Sequence, residues 1–194
     1  MATLKYIREV KNSRLLSLVV VEGEESARYT VGESVYSEIG CPSSGDLLTS
    51  EDMSAIKYAD ELIRAEKKAL SLLSYADNNR RTLKQKLLRA GFGYEICDTV
   101  CEKMLSLGYI DENRQLERLI LVEANTKLRG PERIIPALVA KGYSMSDIRA
   151  VMRELVKSGE IDFNKNAKAL ISKKLPDADI EEKRKFLYKN GYKI

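Results

Sequence analysis

Residues 82–113 read TLKQKLLRAGFGYEICDTVCEKMLSLGYIDEN, and residues 133–164 read RIIPALVAKGYSMSDIRAVMRELVKSGEIDFN. Laid over one another, 51 positions apart, Leu87 meets Leu138, Gly91 meets Gly142, Phe92 meets Tyr143 and Val100 meets Val151. Met104 and Leu105 meet Leu155 and Val156, while Gly108, Ile110, Asp111 and Asn113 meet Gly159, Ile161, Asp162 and Asn164. A third copy starts near Glu181, with Leu187, Gly191 and Tyr192 in the corresponding places. A period of about fifty residues is the mark of helical units that bury their apolar faces against a neighbour. Such arrays make extended binding surfaces, so the pattern points to a scaffold that grips something long and away from an active site.

Each copy is expected to hold three helices. In the first, Asn79 caps a helix whose inward face carries Leu83, Leu87 and Ala90. Gly91 ends that helix, because the C′ position favours positive φ. A second helix, residues 94–107, turns Cys97, Val100, Cys101, Met104 and Leu105 inward, and Gly108 terminates it. Asp111 opens a third helix, which runs to Leu128 before Gly130 and Pro131 break it; Pro131 is well placed near the start of the next helix. The second copy follows suit, with caps at Ser144 and Asp162. Pro136, one turn into its first helix, predicts a kink or a late start. Pro176 closes the copy, and Asp179 with Glu182 forms a capping-box pair for a final helix ending at Gly191.

Residues 4–36 read as strands. Leu16, Leu18 and Val20 alternate with Leu15, Ser17 and Val19, residues 22–25 make a turn, and Tyr29 and Val31 resume the period of two. Residues 4–10 supply a further strand, and a sheet of two or three strands must lean on a helix to be stable. Residues 40–45 form a loop. Thr49 or Ser50 then caps a long helix, favoured by Glu51 and Asp52 in its first turn, with Ile56, Leu62, Ile63, Ala69, Leu70 and Leu73 at helical spacing. The expected fold is mainly α: tandem three-helix repeats, a small β-rich N-terminal extension and a long connecting helix. The expected divisions are 1–48 (β-rich region), 49–76 (connecting helix), 77–130 (first repeat), 131–176 (second repeat) and 177–194 (a truncated third repeat, first helix only).

Composition narrows the function further. The chain has no histidine, which removes the commonest general base and metal ligand. Cys97 and Cys101 lie one helical turn apart and align with Ile148 and Met152, so they read as core thiols. No set of four zinc ligands is present, and neither a metal nor a cofactor is expected. The longest apolar runs are too short to span a bilayer, and no signal peptide is visible at the N-terminus. The expected compartment is the cytoplasm, with no membrane partner and no small-molecule substrate. Residues 1–55 hold five Lys or Arg against nine Asp or Glu, whereas the remainder holds 28 against 20. The repeats could therefore face a polyanion or an acidic protein surface.

Three segments carry a resemblance that covers essentially the whole chain. They are residues 73–92, from Leu73-Ser74-Tyr75 to Gly91-Phe92; Gly108-Tyr109-Ile110-Asp111-Glu112-Asn113-Arg114; and residues 127–134 with Leu138, Lys141 and Gly142. In order and spacing they resemble the RecX family of bacterial recombination regulators. Asn78 and Asn79 stand where that family favours Arg and Ser, Thr82 replaces a capping-box Glu, and Gln115-Leu116 replaces an aromatic-Ala pair. The resemblance implies a regulatory protein that binds the RecA filament on DNA and inhibits recombinase and co-protease activity in DNA repair and the SOS response. It implies no enzyme activity. The expected partners are the RecA filament and single- or double-stranded DNA, with the chain acting as a monomer.

The residues nominated to face RecA or DNA are Arg80, Arg81, Lys84, Arg89, Lys127, Arg129, Arg133 and Lys141. Arg81, Gln85 and Arg89 form a stripe away from Leu83 and Leu87, but an ordinary solvated helix face would look the same. The stripe maps to Glu132, Pro136 and Ala140 in the second copy, which argues against a regular phosphate-tracking array. Tyr109 could stack on a base, though core packing at its helix junction is the expected role. The alternative function is a helical-repeat DNA-binding regulator acting without RecA; no recognition helix with several base-reading side chains is evident.

Overall fold

The structure is a computed structural model that describes residues 1–193. Its elements are β1 (Ala2–Glu9), β2 (Leu15–Glu22), β3 (Glu25–Gly32), α1 (Glu33–Glu38), β4 (Leu47–Leu48), α2 (Ser50–Tyr75), α3 (Arg80–Arg89) and α4 (Tyr94–Ser106). Then come α5 (Glu112–Leu121), continued by a π-helical stretch (Val122–Thr126), α6 (Pro131–Ala140), α7 (Met145–Lys157), α8 (Phe163–Lys174) and α9 (Ile180–Lys189). The chain is mainly α with a small N-terminal sheet, as the pattern of repeats implies. Contacts divide it into two compact units: Met1–Ala76 with Leu83–Ser106, and Asp77–Thr82 with the residues from Leu107 onward.

In the first unit the strands form an antiparallel sheet in the order β3-β2-β1-β4. Leu16, Leu18 and Val20 fall on one face of β2 and are buried with Leu4 and Val31. That face closes on Met53, Ile56 and Ala59 of α2, so the sheet does lean on a helix. Thr49 caps α2 through a reciprocal capping box with Asp52. The edge of β3 is closed by a side chain: the Thr30 amide donates to Asp60 Oδ1 at 2.8 Å, and the other Asp60 oxygen pairs with Arg64 at 2.8 Å. A carboxylate on an edge amide leaves that amide unable to pair with another strand.

The expected strands overrun at one point. Residues 33–38 are helical, since Val35, Tyr36 and Ile39 pack together against the sheet core and the Tyr36 hydroxyl donates to the Pro42 carbonyl at 2.7 Å. One helical turn puts all three on the same side, where a strand would alternate them. The two-residue β4 is too short for a period to reveal. Further along the unit, α4 packs on α2, whose Ala65 and Ala69 are fully buried. Leu83 and Leu87 of α3 are fully buried, as are Cys97, Val100 and Cys101 of α4. Three expected core residues are corrected. Ala90 lies just past the end of α3 and is exposed, Leu105 is half-buried, and Leu70 is 39% exposed.

The second unit has a core of Leu116, Ile120, Ala124, Ile134, Leu138, Ile148, Met152, Leu155 and Ile161. The repeat register holds at most inward positions, though Val151 is only half-buried where its counterpart Val100 is fully buried. Leu87 and Leu138 are both 0% exposed, Cys97 matches Ile148, and Ile110 matches Ile161 as buried residues. Gly91 and Gly142 both adopt positive φ, at 91° and 100°. No late start follows from Pro136: α6 begins at Pro131 and runs through it. Pro136 is exposed, so losing the one bond its N–H would have made to the Glu132 carbonyl strips no buried group. The third helix of the first repeat does not stay α-helical to Leu128. It widens into the π-helical stretch, and Leu128 takes φ 51°.

Candidate partner-binding surface

The surface grows from a joint in the second unit that is used twice. Asn79 is buried; its Oδ1 accepts from the Thr82 amide at 2.8 Å, which caps α3, and its Nδ2 donates to the Lys141 carbonyl at 2.9 Å. The carboxylate that Thr82 cannot supply arrives from α5 instead, since the Arg80 amide donates to Glu112 Oε1 at 2.7 Å. Next to Lys141 sits Gly142, where a built Cβ would stand 2.7 Å from Cδ and 3.2 Å from Cβ of Arg81. The aliphatic stem of Arg81 therefore lies on the bare Cα of Gly142. The Tyr143 hydroxyl donates to Gln115 Oε1 at 3.3 Å, and burial raises its pKa above the ordinary tyrosine value.

One repeat later the corresponding turn is seated on the corresponding helix start, by backbone amides where the first joint uses a side chain. The Gly130 amide donates to the Asn190 carbonyl at 2.8 Å and the Glu132 amide to the Gly191 carbonyl at 3.1 Å. Gly130 aligns with Asn79, Asn190 and Gly191 with Lys141 and Gly142, and Tyr192 with Tyr143. A Cβ on Gly191 would lie 2.5 Å from the Arg133 amide nitrogen, so this joint is backbone against backbone. Tyr192 donates its hydroxyl to the Leu128 carbonyl at 3.0 Å and meets Phe163 edge-on, with ring centroids 6.5 Å apart.

The eight nominated cations separate by what already engages them. Lys84 pairs with Asp98 at 2.6 Å and sits 3.4 Å from the centre of the Tyr94 ring. Burial alone would lower its pKa, but the bonds to Asp98 and Tyr94 hold it above the ordinary lysine value. Lys127 and Arg129 both serve Glu123, at 2.6 and 2.5 Å. That carboxylate is buried, which pushes its pKa up, yet the two cations outweigh burial and hold it below the ordinary glutamate range. Arg133 donates from Nη1 to the Lys189 carbonyl at 2.9 Å, at the end of α9. Arg80 is exposed, and its amide is the one that Glu112 receives. Arg81, Arg89 and Lys141 are exposed, and none of their side chains has an ion-pair partner among the described residues. Arg81 and Lys141 both lie at the first joint, Arg81 against Gly142 and Lys141 through its carbonyl on Asn79.

Tyr109 is 55% exposed, against the core role expected of it. Gly108 leaves α4 in the left-handed region and sends the buried Ile110, not Tyr109, into the core. Tyr109 lines an open cleft of about 630 Å³ with Asp111, Arg114, Glu117 and Arg118, and Arg118 pairs there with Asp77. Of this cleft only Tyr109 was read from the sequence as a possible contact; Gly108, Asp111, Arg114 and Gln115 entered as helix-end or motif residues, and the exposed Arg114 and Arg118 on α5 were the available signal. Glu123 was missed as well, because a lone acidic residue in a helix gives no sign of burial. Cys97 and Cys101 are buried and neither is in a disulfide, and burial pushes the Cys97 thiol up. No group of three or more His, Cys, Asp or Glu able to hold a metal exists among the described residues, and no helix there is long and apolar enough to cross a membrane.

Comparisons of sequence and of structure place the chain among known proteins. It is 28% identical over 145 residues to the regulatory protein RecX of Clostridioides difficile, covering 75% of this chain and 66% of that one. It is 24% identical over 164 residues to the regulatory protein RecX of Listeria monocytogenes, covering 78% and 61%. The chain thus spans somewhat less than two thirds of the length of these curated relatives. No family model matches. In structure it resembles a crystal structure of regulatory protein RecX, with a TM-score of 0.74 at 22% identity, over all of this chain and 95% of the other. It also resembles RecX from Lactobacillus salivarius, with a TM-score of 0.60 at 19% identity over 70% and 90% of the two chains. These two likenesses establish the fold.

Proposed function

We infer the function from one premise: this chain belongs to the RecX family of regulatory proteins. On that premise it binds the RecA filament on DNA, restrains its recombinase and co-protease activities in DNA repair and the SOS response, and catalyses no reaction itself. It acts in the cytoplasm, as a monomer, through the repeats at 77–130 and 131–176. The observation that carries this reading is the similarity itself, which covers three quarters of the chain and finds regulatory proteins of one name. The repeated joint supports it, because two equivalent turns seated on two equivalent helix starts suit a partner that is itself periodic. Among the nominated residues, Arg81, Arg89 and Lys141 are the cations we assign to the partner. Lys84, Lys127, Arg129 and Arg133 already have work inside the fold.

Purified protein added below equimolar amounts should slow RecA-driven ATP hydrolysis and strand exchange on single-stranded DNA, since one bound molecule can block filament growth. No effect at an equimolar ratio would overturn the reading. Nuclease or ATPase activity of the chain alone would overturn its non-catalytic part.

A further inference from the structure

We propose that α7 lays a row of three cations, Arg149, Arg153 and Lys157, along the phosphate backbone of a nucleic-acid strand. The proposal deepens the filament reading above, taking from it only that DNA is at hand, and adds where the DNA lies against the chain. Three observations carry it. First, the three residues follow one another at four-residue intervals, which sets them in a line about 6 Å apart along the helix. All three are exposed, and none has an ion-pair partner among the described residues. Neither of the two acids of α7, Asp147 and Glu154, falls in the row. Second, the cationic excess of the repeats is concentrated here. Together α7 and α8 hold seven Lys or Arg against two Asp or Glu, where the matching α4 and α5 hold three against five. The positions of α4 that align with the row are Asp98, Glu102 and Ser106, so the repeat itself does not require cations there. Third, α8 carries no acidic residue at all, and its Lys165 and Lys168 are exposed. Lys157, Lys173 and Lys174 stand in the last turns of their helices, where the dipole favours a cation in any protein. Arg149, Arg153 and Lys168 do not, and Lys165 stands in a first turn, where the dipole opposes it.

The chemistry favours phosphates over an acidic protein face. Five of the seven cations are lysines, strongly hydrated point charges that are depleted from protein–protein interfaces yet serve well as phosphate contacts. Protein surfaces intersperse the two signs of charge, whereas a phosphate backbone repeats one sign at regular intervals, and an unmixed line of cations along a helix matches the second. Because the row has no copy in the first repeat, the contact is one short stretch of about three phosphates and not an array that follows the repeats.

The test uses the full chain, fluorescent oligo(dT) without RecA, and poly-L-glutamate as a competitor. The logarithm of the wild-type binding constant should fall with the logarithm of salt concentration with a slope of about −2 or steeper, at about 0.7 per phosphate contacted. The double variant R149Q/R153Q should bind at least about tenfold more weakly at low salt and lose about 1.4 of that slope. K67Q/K68Q is the control: it removes the same charge from exposed positions of α2 and should bind as wild type does. Urea midpoints of both double variants should match wild type, because all four residues are exposed. Poly-L-glutamate at equal charge should compete poorly. A wild-type chain that binds no oligo(dT), or an R149Q/R153Q variant with unchanged affinity and slope, overturns this inference. Equal losses in the two double variants also overturn it, since net charge alone would then set the binding. Competition by poly-L-glutamate as strong as that of unlabelled oligo(dT) overturns it in favour of an acidic protein face. RecA-driven ATP hydrolysis, measured in parallel, separates the two readings. A chain that binds oligo(dT) through the row but leaves RecA unaffected overturns the functional reading and leaves this inference standing.

Discussion

Glu123 shows how one side chain can be decisive without being visible in the sequence. Its carboxylate is 4% exposed and survives as an anion because Lys127 and Arg129 close on it. Its folded pKa is lowered from the ordinary value of 4.5, which fixes the sign of its contribution. The stabilisation is fully present above about pH 4.5 and is lost as pH falls through the lowered folded value. Urea unfolding between pH 7 and pH 3 should therefore show an acid limb, and Glu123→Gln should flatten it. At pH 7 the same substitution should cost about 1.5–3 kcal/mol, the scale of hydrogen bonds to a charged group. An unchanged midpoint at pH 7 would show that solvent replaces the pair at no cost. Asn79 has the same standing, since a single residue caps α3 and holds the Lys141 turn. Asn79→Ala should lower stability by about 1–2 kcal/mol, measured in the same way.

Among the elements, the two copies of the repeat behave as one design with different side chains. Leu87 and Leu138 are equivalent and fully buried. Each, changed to Ala, should destabilise by about 2–5 kcal/mol, and a midpoint equal to wild type in either case would break the equivalence. The glycines that end the first helices are less alike than their shared φ suggests. Gly91 has open space, Gly142 faces the flexible stem of Arg81, and Gly191 faces the backbone of Arg133. Adding a methyl group should cost least at Gly91 and most at Gly191, where no rotamer change can relieve the contact. Urea midpoints of the three alanine variants give that order directly, and equal losses would mean that φ alone sets the cost. The π-helical stretch and the helical residues 33–38 were beyond a periodic reading for one reason. Each is a single turn whose geometry follows from what it packs against.

Across the whole molecule, charge is uneven, with five cations against nine anions in residues 1–55 and 28 against 20 beyond. If the repeats face a filament on DNA, reversing Arg81 and Arg89 to Glu should weaken binding and flatten its salt dependence, with the fold intact. Reversing Glu24 and Glu25 to Lys in the β2–β3 turn should leave binding unchanged or slightly tighter. The opposite pattern in a filament-binding titration would put the partner on the sheet. The fifty-residue repeat, its register, the caps at Asn79, Ser144, Asp162 and Asp179 and the terminating glycines are all determined by the sequence itself. Each depends on residues within a few turns of one another, or on a copy that can be laid over its twin. Which cations are available to a partner was decided only by the tertiary structure. Lys84 meets Asp98 14 residues on, and Arg133 meets the Lys189 carbonyl 56 residues on. Pairing of that kind depends on distances through space between segments far apart in the chain, so a cation already engaged inside the fold looks, in the sequence, the same as one left free for a partner.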